Sequence, residues 1–112
     1  MDRIRVLLVD DHAVLRDGLR SLLSLHDDID VIAEADDGLE AVQCVRQHNP
    51  DVVVMDIAMP RMNGLEATRQ ILAEHPQTRV LVLSQHDDER YVLPCCQAGA
   101  AGYLLKSAAA DE

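Results

Sequence analysis

Short runs dominated by Val, Ile and Leu recur along the chain: IRVLLV at 4–9, VVVM at 52–55, RVLVL at 79–83 and GYLL at 102–105. Their apolar stretches are nearly continuous, without the alternation of a half-solvated strand. Such runs read as strands buried on both faces. A weaker run, DVIAE at 30–34, reads as another strand. Helical spacing fills the gaps, and alternating βα units imply right-handed crossovers and a parallel sheet covered by helices.

Leu15, Leu19, Leu22 and Leu23 mark a helix over 13–25. Asp37 begins a capping-box pattern with Glu40 at its third helical position. The helix it opens is predicted to set Leu39, Val42 and Val45 on one face and to end near His48, where Asn49 and Pro50 break it. Asn63 can cap a third helix over about 64–74, closed by His75 and Pro76. Asp87 or Asp88 can cap a fourth, ending near Gly99.

Two features break the pattern. Pro94 falls inside the expected fourth helix, and an interior proline costs ~3 kcal/mol, so this helix kinks or its regular part begins near Pro94. After Lys106 only SAAADE remains, which looks like the start of a further helix, cut short. A missing last helix is expected to leave apolar sheet surface open and to favour self-association.

The 112 residues suffice for one domain. With 48% hydrophobic but only 2% aromatic residues, the core must be aliphatic. A net charge of −10 argues against direct nucleic-acid binding by this segment, which would need a basic surface. Cys44, Cys95 and Cys96 show no metal-ligand spacing and read as free thiols in a reducing cytoplasm. No apolar run reaches the ~18 residues of a membrane span, and no secretory signal opens the chain. The expectation is a soluble, cytosolic protein.

The chemistry lies where the strands end. Asp10 and Asp11 follow the first strand, Asp56 the third, Ser84 the fourth and Lys106 the fifth. In a parallel α/β sheet the carboxyl ends of neighbouring strands share one crevice, where ligands bind. Three carboxylates together repel one another and invite a divalent cation. A hydroxyl and an ammonium beside them suit a phosphoryl group. Each residue also has a plainer reading: Asp11 as a helix cap, Ser84 as a turn residue, Lys106 as a surface lysine, Tyr103 as a half-buried strand aromatic. His12, His26, His48, His75 and His86 share no ligand spacing and read as solvated, with His86 near enough to Ser84 to border the site.

The segments VDDHAVLRDGL, VVVMDIAMPRMNGLEATR, VLSQHDDERYV and AGAAGYLLK resemble, in order and spacing, the receiver domains of two-component response regulators. The closest likeness is to the LuxR/NarL/FixJ-type subfamily, which carries a helix-turn-helix output domain. The resemblance covers nearly the whole chain, making 1–112 one receiver domain that ends before its fifth helix. It implies a doubly wound, flavodoxin-like (βα)5 sheet with parallel strand order 2-1-3-4-5.

The resemblance also implies roles. Asp56 is the phosphoacceptor. Mg2+ is held by Asp11 directly, by Asp10 largely through water, by Asp56, and by the backbone carbonyl of Ala58. Ser84 and Lys106 take phosphoryl oxygens, and Tyr103 is an aromatic switch on the surface of the fourth helix and fifth strand. Implied partners are a sensor histidine kinase, a DNA-binding output domain beyond this chain and a second copy in a homodimer. A Mg2+-dependent phosphohydrolase would place a second acid two residues after the nucleophile, where this chain has Ala58, so only slow self-dephosphorylation is expected. The chain departs from the family at Pro94, at Gln85 and at Ser107, where many receivers have proline after a cis bond; a cis bond before Ser107 would cost ~3 kcal/mol or more.

Overall fold

The computed structural model of the chain describes residues 3–56, 64–84, 97 and 99–105, and of 84 and 103–105 the backbone. The elements are β1 (Ile4–Val9), α1 (Ala13–Leu23), β2 (Ile29–Ala35), α2 (Gly38–His48), β3 (Val52–Asp56), α3 (Gly64–Glu74), β4 (Arg79–Ser84) and β5 (Gly102–Leu105). All strand pairs are parallel, in the order β2-β1-β3-β4-β5. The expected order is therefore the observed one. β1 has β2 on one side and β3 on the other, so the winding reverses at the carboxyl ends of β1 and β3.

Register separates the two faces of the sheet. Leu7 and Val9 of β1 stand beside Val53 and Met55 of β3, which stand beside Val80 and Val82 of β4. All six are buried and pack with Ala41, Val42 and Val45 of α2 and Ala67 and Ile71 of α3. On the opposite face Val6, Leu8 and Leu83 are buried, whereas Val52, Val54 and Leu81 are half-buried. The β1–β2 register shifts between Val6 and Leu7, a bulge that leaves Ile32 outside the regular pairing.

α2 begins as its sequence predicts. The Asp37 carboxylate accepts a 2.8 Å hydrogen bond from the Glu40 N–H. Its end is also local chemistry: Asn49 takes a left-handed conformation, φ 49°, donates to the Val45 carbonyl, and is followed by buried Pro50. Leu39 is a correction. It is 40% exposed, and the buried face is made instead by Ala41, Val42 and Val45. α1 is two residues shorter than expected and buries none of its residues fully; Leu15, Leu19 and Leu23 are half-buried and Leu22 is 39% exposed. Before β5, Gly99 has φ 100°, which an L side chain rarely adopts.

The expected capping by Asn63, the fourth helix with Pro94, apart from helical Gln97, and the Lys106–Ser107 bond lie outside the described residues. Among the described residues no helix is long and apolar enough to cross a membrane.

Candidate functional site

The acids arrive at one point because of strand parity. Counting on by two from Leu8 reaches Asp10, and from Val54 reaches Asp56. Leu8 and Val54 are register neighbours, so both acids fall on the face opposite α2 and α3, at the carboxyl edge. The Asp10 N–H extends the ladder by one bond, to the Ala35 carbonyl at 3.1 Å. Both acids are buried, Asp10 at 2% exposure and Asp56 at 1%. Asp11 is the third, with its side chain about one-third exposed.

Asp11 does not cap α1. His12 occupies the N-cap position, in extended conformation and without a side-chain capping bond. Instead the Asp10 carboxylate turns the chain: its Oδ1 accepts from the His12 N–H at 2.8 Å. This turn brings the His12 ring back over the acids. Its Nδ1 lies 3.0 Å from Asp10 Oδ1 and 3.2 Å from Asp11 Oδ1. One ligand atom from each of Asp10, Asp11, His12 and Asp56 fits within a mutual distance of 4.8 Å.

Two buried carboxylates and a third beside them are costly to hold together as anions without a cation. Their hard oxygen donors match a small divalent cation. The residues present therefore fit a metal ion, and this donor set can hold one. The nearby arginine does something different. Arg16 donates to the Asp10 backbone carbonyl at 2.6 Å and to Glu34 at 2.8 Å, and also bonds Asp36. Burial works against its charge, but the hydrogen bonds and charges of Asp36 and Glu34 outweigh that and hold its pKa above the ordinary value. Arg16 thus ties α1 to the end of β2 and to the backbone of the acid pair.

Of the expected site residues, Asp10, Asp11 and Asp56 are brought together. Ser84 ends β4 at the same carboxyl edge, one residue beyond Leu83, the register neighbour of Asp56. Its backbone pairs with Leu105 and that of Tyr103 with Val82. The side chains of Ser84 and Tyr103, and all of Ala58, Gln85, His86 and Lys106, lie outside the described residues. Two members of the site escaped the sequence reading. His12 reads as solvated, and its side chain is 51% exposed, but its ring also contacts two of the acids; its position directly after the acid pair was the available signal. Arg16 carried no signal beyond one helical turn from His12.

The chain is similar to known proteins over nearly its whole length. The pattern of the response regulator receiver domain matches residues 6–112. The transcriptional regulatory protein DegU of Brevibacillus brevis is 46% identical over 110 residues, covering 98% of this chain and 47% of that protein. The chain spans about half the length of the curated relatives it matches. Among solved structures, the signal receiver domain of NarL from Mycobacterium tuberculosis superposes with a TM-score of 0.90 at 40% identity, over 95% of this chain and 86% of that one. A chain of the CheX-CheY-BeF3-Mg+2 complex from Borrelia burgdorferi is similar at 28% identity and a TM-score of 0.87, over 98% of this chain and 86% of that one.

Proposed function

The chain belongs to the response regulator receiver domain family, and from that premise we propose that it is a phosphorylation-dependent switch whose acceptor is Asp56. One observation carries the choice of residue. Asp56 is the buried carboxylate that closes β3 at the winding reversal, within 4.8 Å of the ligand atoms of Asp10, Asp11 and His12.

A carboxylate oxygen of Asp56 forms a bond to phosphorus as the donor's bond to phosphorus breaks, and the bonding pair leaves with the donor. Both partners are anionic, so their approach must be screened. Asp10, Asp11, Asp56 and the Ala58 carbonyl would hold Mg2+, which when bound neutralises and orients the phosphoryl oxygens. The oxygen-rich donor set and the Mg+2 in the related CheX-CheY complex support that ion. Lys106, the residue after β5 in the sequence, would pair with an equatorial oxygen. The product carries about −2 charge where −1 stood. Ser84, at the end of the adjacent strand, would bond one of the added oxygens. Tyr103 would then move inward and change the surface of the fourth helix and β5.

The donor is a sensor histidine kinase, the output is a DNA-binding domain in the parent protein, and a homodimer is a further expected assembly. The transcriptional regulators among the relatives, about twice the length of this chain, support the output domain. The domain acts as a phosphoacceptor in the cytoplasm, with at most slow self-dephosphorylation. Intact-mass spectrometry after incubation with Mg2+ and acetyl phosphate tests the reading. One added phosphoryl mass, absent from Asp56→Ala, is expected; the same addition in both proteins would refute the assignment.

A further inference from the structure

We propose that His12 is a ligand of the cation at this site and biases it toward first-row transition ions relative to Mg2+. The inference rests on the proposed cation site and adds a nitrogen donor to it. His12 Nδ1 lies 3.0 Å from Asp10 Oδ1, a hydrogen-bonding contact that ligation would replace, and 3.2 Å from Asp11 Oδ1. Two ligands at right angles on an octahedral ion with bonds near 2.1 Å stand about 3.0 Å apart. Each acid oxygen is therefore spaced from His12 Nδ1 as one vertex of a coordination sphere is from the next, and Asp56 supplies a further atom within the same 4.8 Å set.

The backbone enforces this placement. The Asp10 carboxylate takes the His12 N–H at 2.8 Å, so the ring returns over the acids instead of running out along α1. The ring does not cap the helix, and its side chain is 51% exposed, so it can turn toward an entering ion without unpacking the core. Carboxylate and carbonyl oxygens suit Mg2+ and Mn2+ alike, and an imidazole nitrogen, which first-row ions accept more readily than Mg2+ does, is the donor that separates the two. A mixed oxygen and nitrogen set thus keeps Mg2+ binding while favouring an ion such as Mn2+.

The test measures binding directly. Calorimetric titration with Mg2+ and with Mn2+ compares the wild-type chain with His12→Ala and His12→Gln, and Asp10→Asn reports on the site itself. Loss of the ring should weaken Mn2+ binding by about tenfold or more while Mg2+ binding changes by less than about threefold. Pulsed electron paramagnetic resonance of the Mn2+-loaded wild-type chain should show coupling to a ligand nitrogen that both His12 substitutions remove. No nitrogen coupling, or equal changes for the two ions, would overturn the role of His12 while Asp10→Asn still abolished binding. If Asp10→Asn left binding of both ions intact, the cation site itself would fall, and the inference with it. The wild-type spectrum needs no variant to fold.

Discussion

α1 and α2 are each 11 residues long and each carries an apolar stripe, yet they share the work of the fold unequally. α2 buries Gly38, Ala41, Val42 and Val45 and joins the main core with α3. α1 buries no residue fully, and Val14 is 87% exposed. The sheet face beneath α2 and α3 is closed. The opposite face keeps Val52, Val54 and Leu81 half-buried. Asp10 and Asp56 continue that second face at its carboxyl edge. Among the described residues the main buried cluster lies on one side of the sheet, and the buried acids of the site lie on the other. Packing density resists rearrangement, and a switch needs an element able to rearrange.

Breaking the closed face should cost most. Ile71→Ala removes a buried α3 side chain and should lower unfolding stability by about 2–5 kcal/mol in urea titration. A loss below 1 kcal/mol would mean that the α3 face is not the main core. Loading the site should strengthen the other side: Mg2+ at tenfold over its dissociation constant should add about 1.4 kcal/mol, and Asp10→Asn should remove the gain. Asp37→Ala deletes the capping bond of α2 and should cost about 1 kcal/mol by the same titration. Val14→Ala, on the open side of α1, should stay within about 0.5 kcal/mol of wild type. A loss of 2 kcal/mol there would erase the contrast between the helices.

Local rules were enough to read much of this arrangement. Four nearly continuous apolar runs and the weaker DVIAE became the five strands, because strands covered on both faces leave a continuous apolar record. Asp37 and Asn49 to Pro50 marked both ends of α2, because caps and breakers act on their own backbone. Burial of whole helices was less legible. The leucines of α1 repeat as well as the valines of α2, and only packing distinguishes a half-covered stripe from a covered one. Leu39 was misplaced for a related reason: at the first turn of α2 its side chain lies outside the face that meets α3. At the site, the three acids were legible because they follow strands. His12 was not, since its contact with Asp10 and Asp11 comes from a turn closed by the Asp10 carboxylate, which no spacing rule records. The roles assigned to Ser84, Tyr103 and Lys106 rest on the family resemblance and their places in the chain.

The central claim is that phosphoryl transfer ends on Asp56, and the most direct measurement locates the label. The chain is phosphorylated with acetyl phosphate and Mg2+, reduced with borohydride to convert the acyl phosphate to a stable alcohol, and mapped by peptide mass spectrometry. The mass change is expected on the peptide containing Asp56 and on no other carboxylate. A label on Asp10 or Asp11, or on a side chain away from the carboxyl edge of the sheet, would contradict the account.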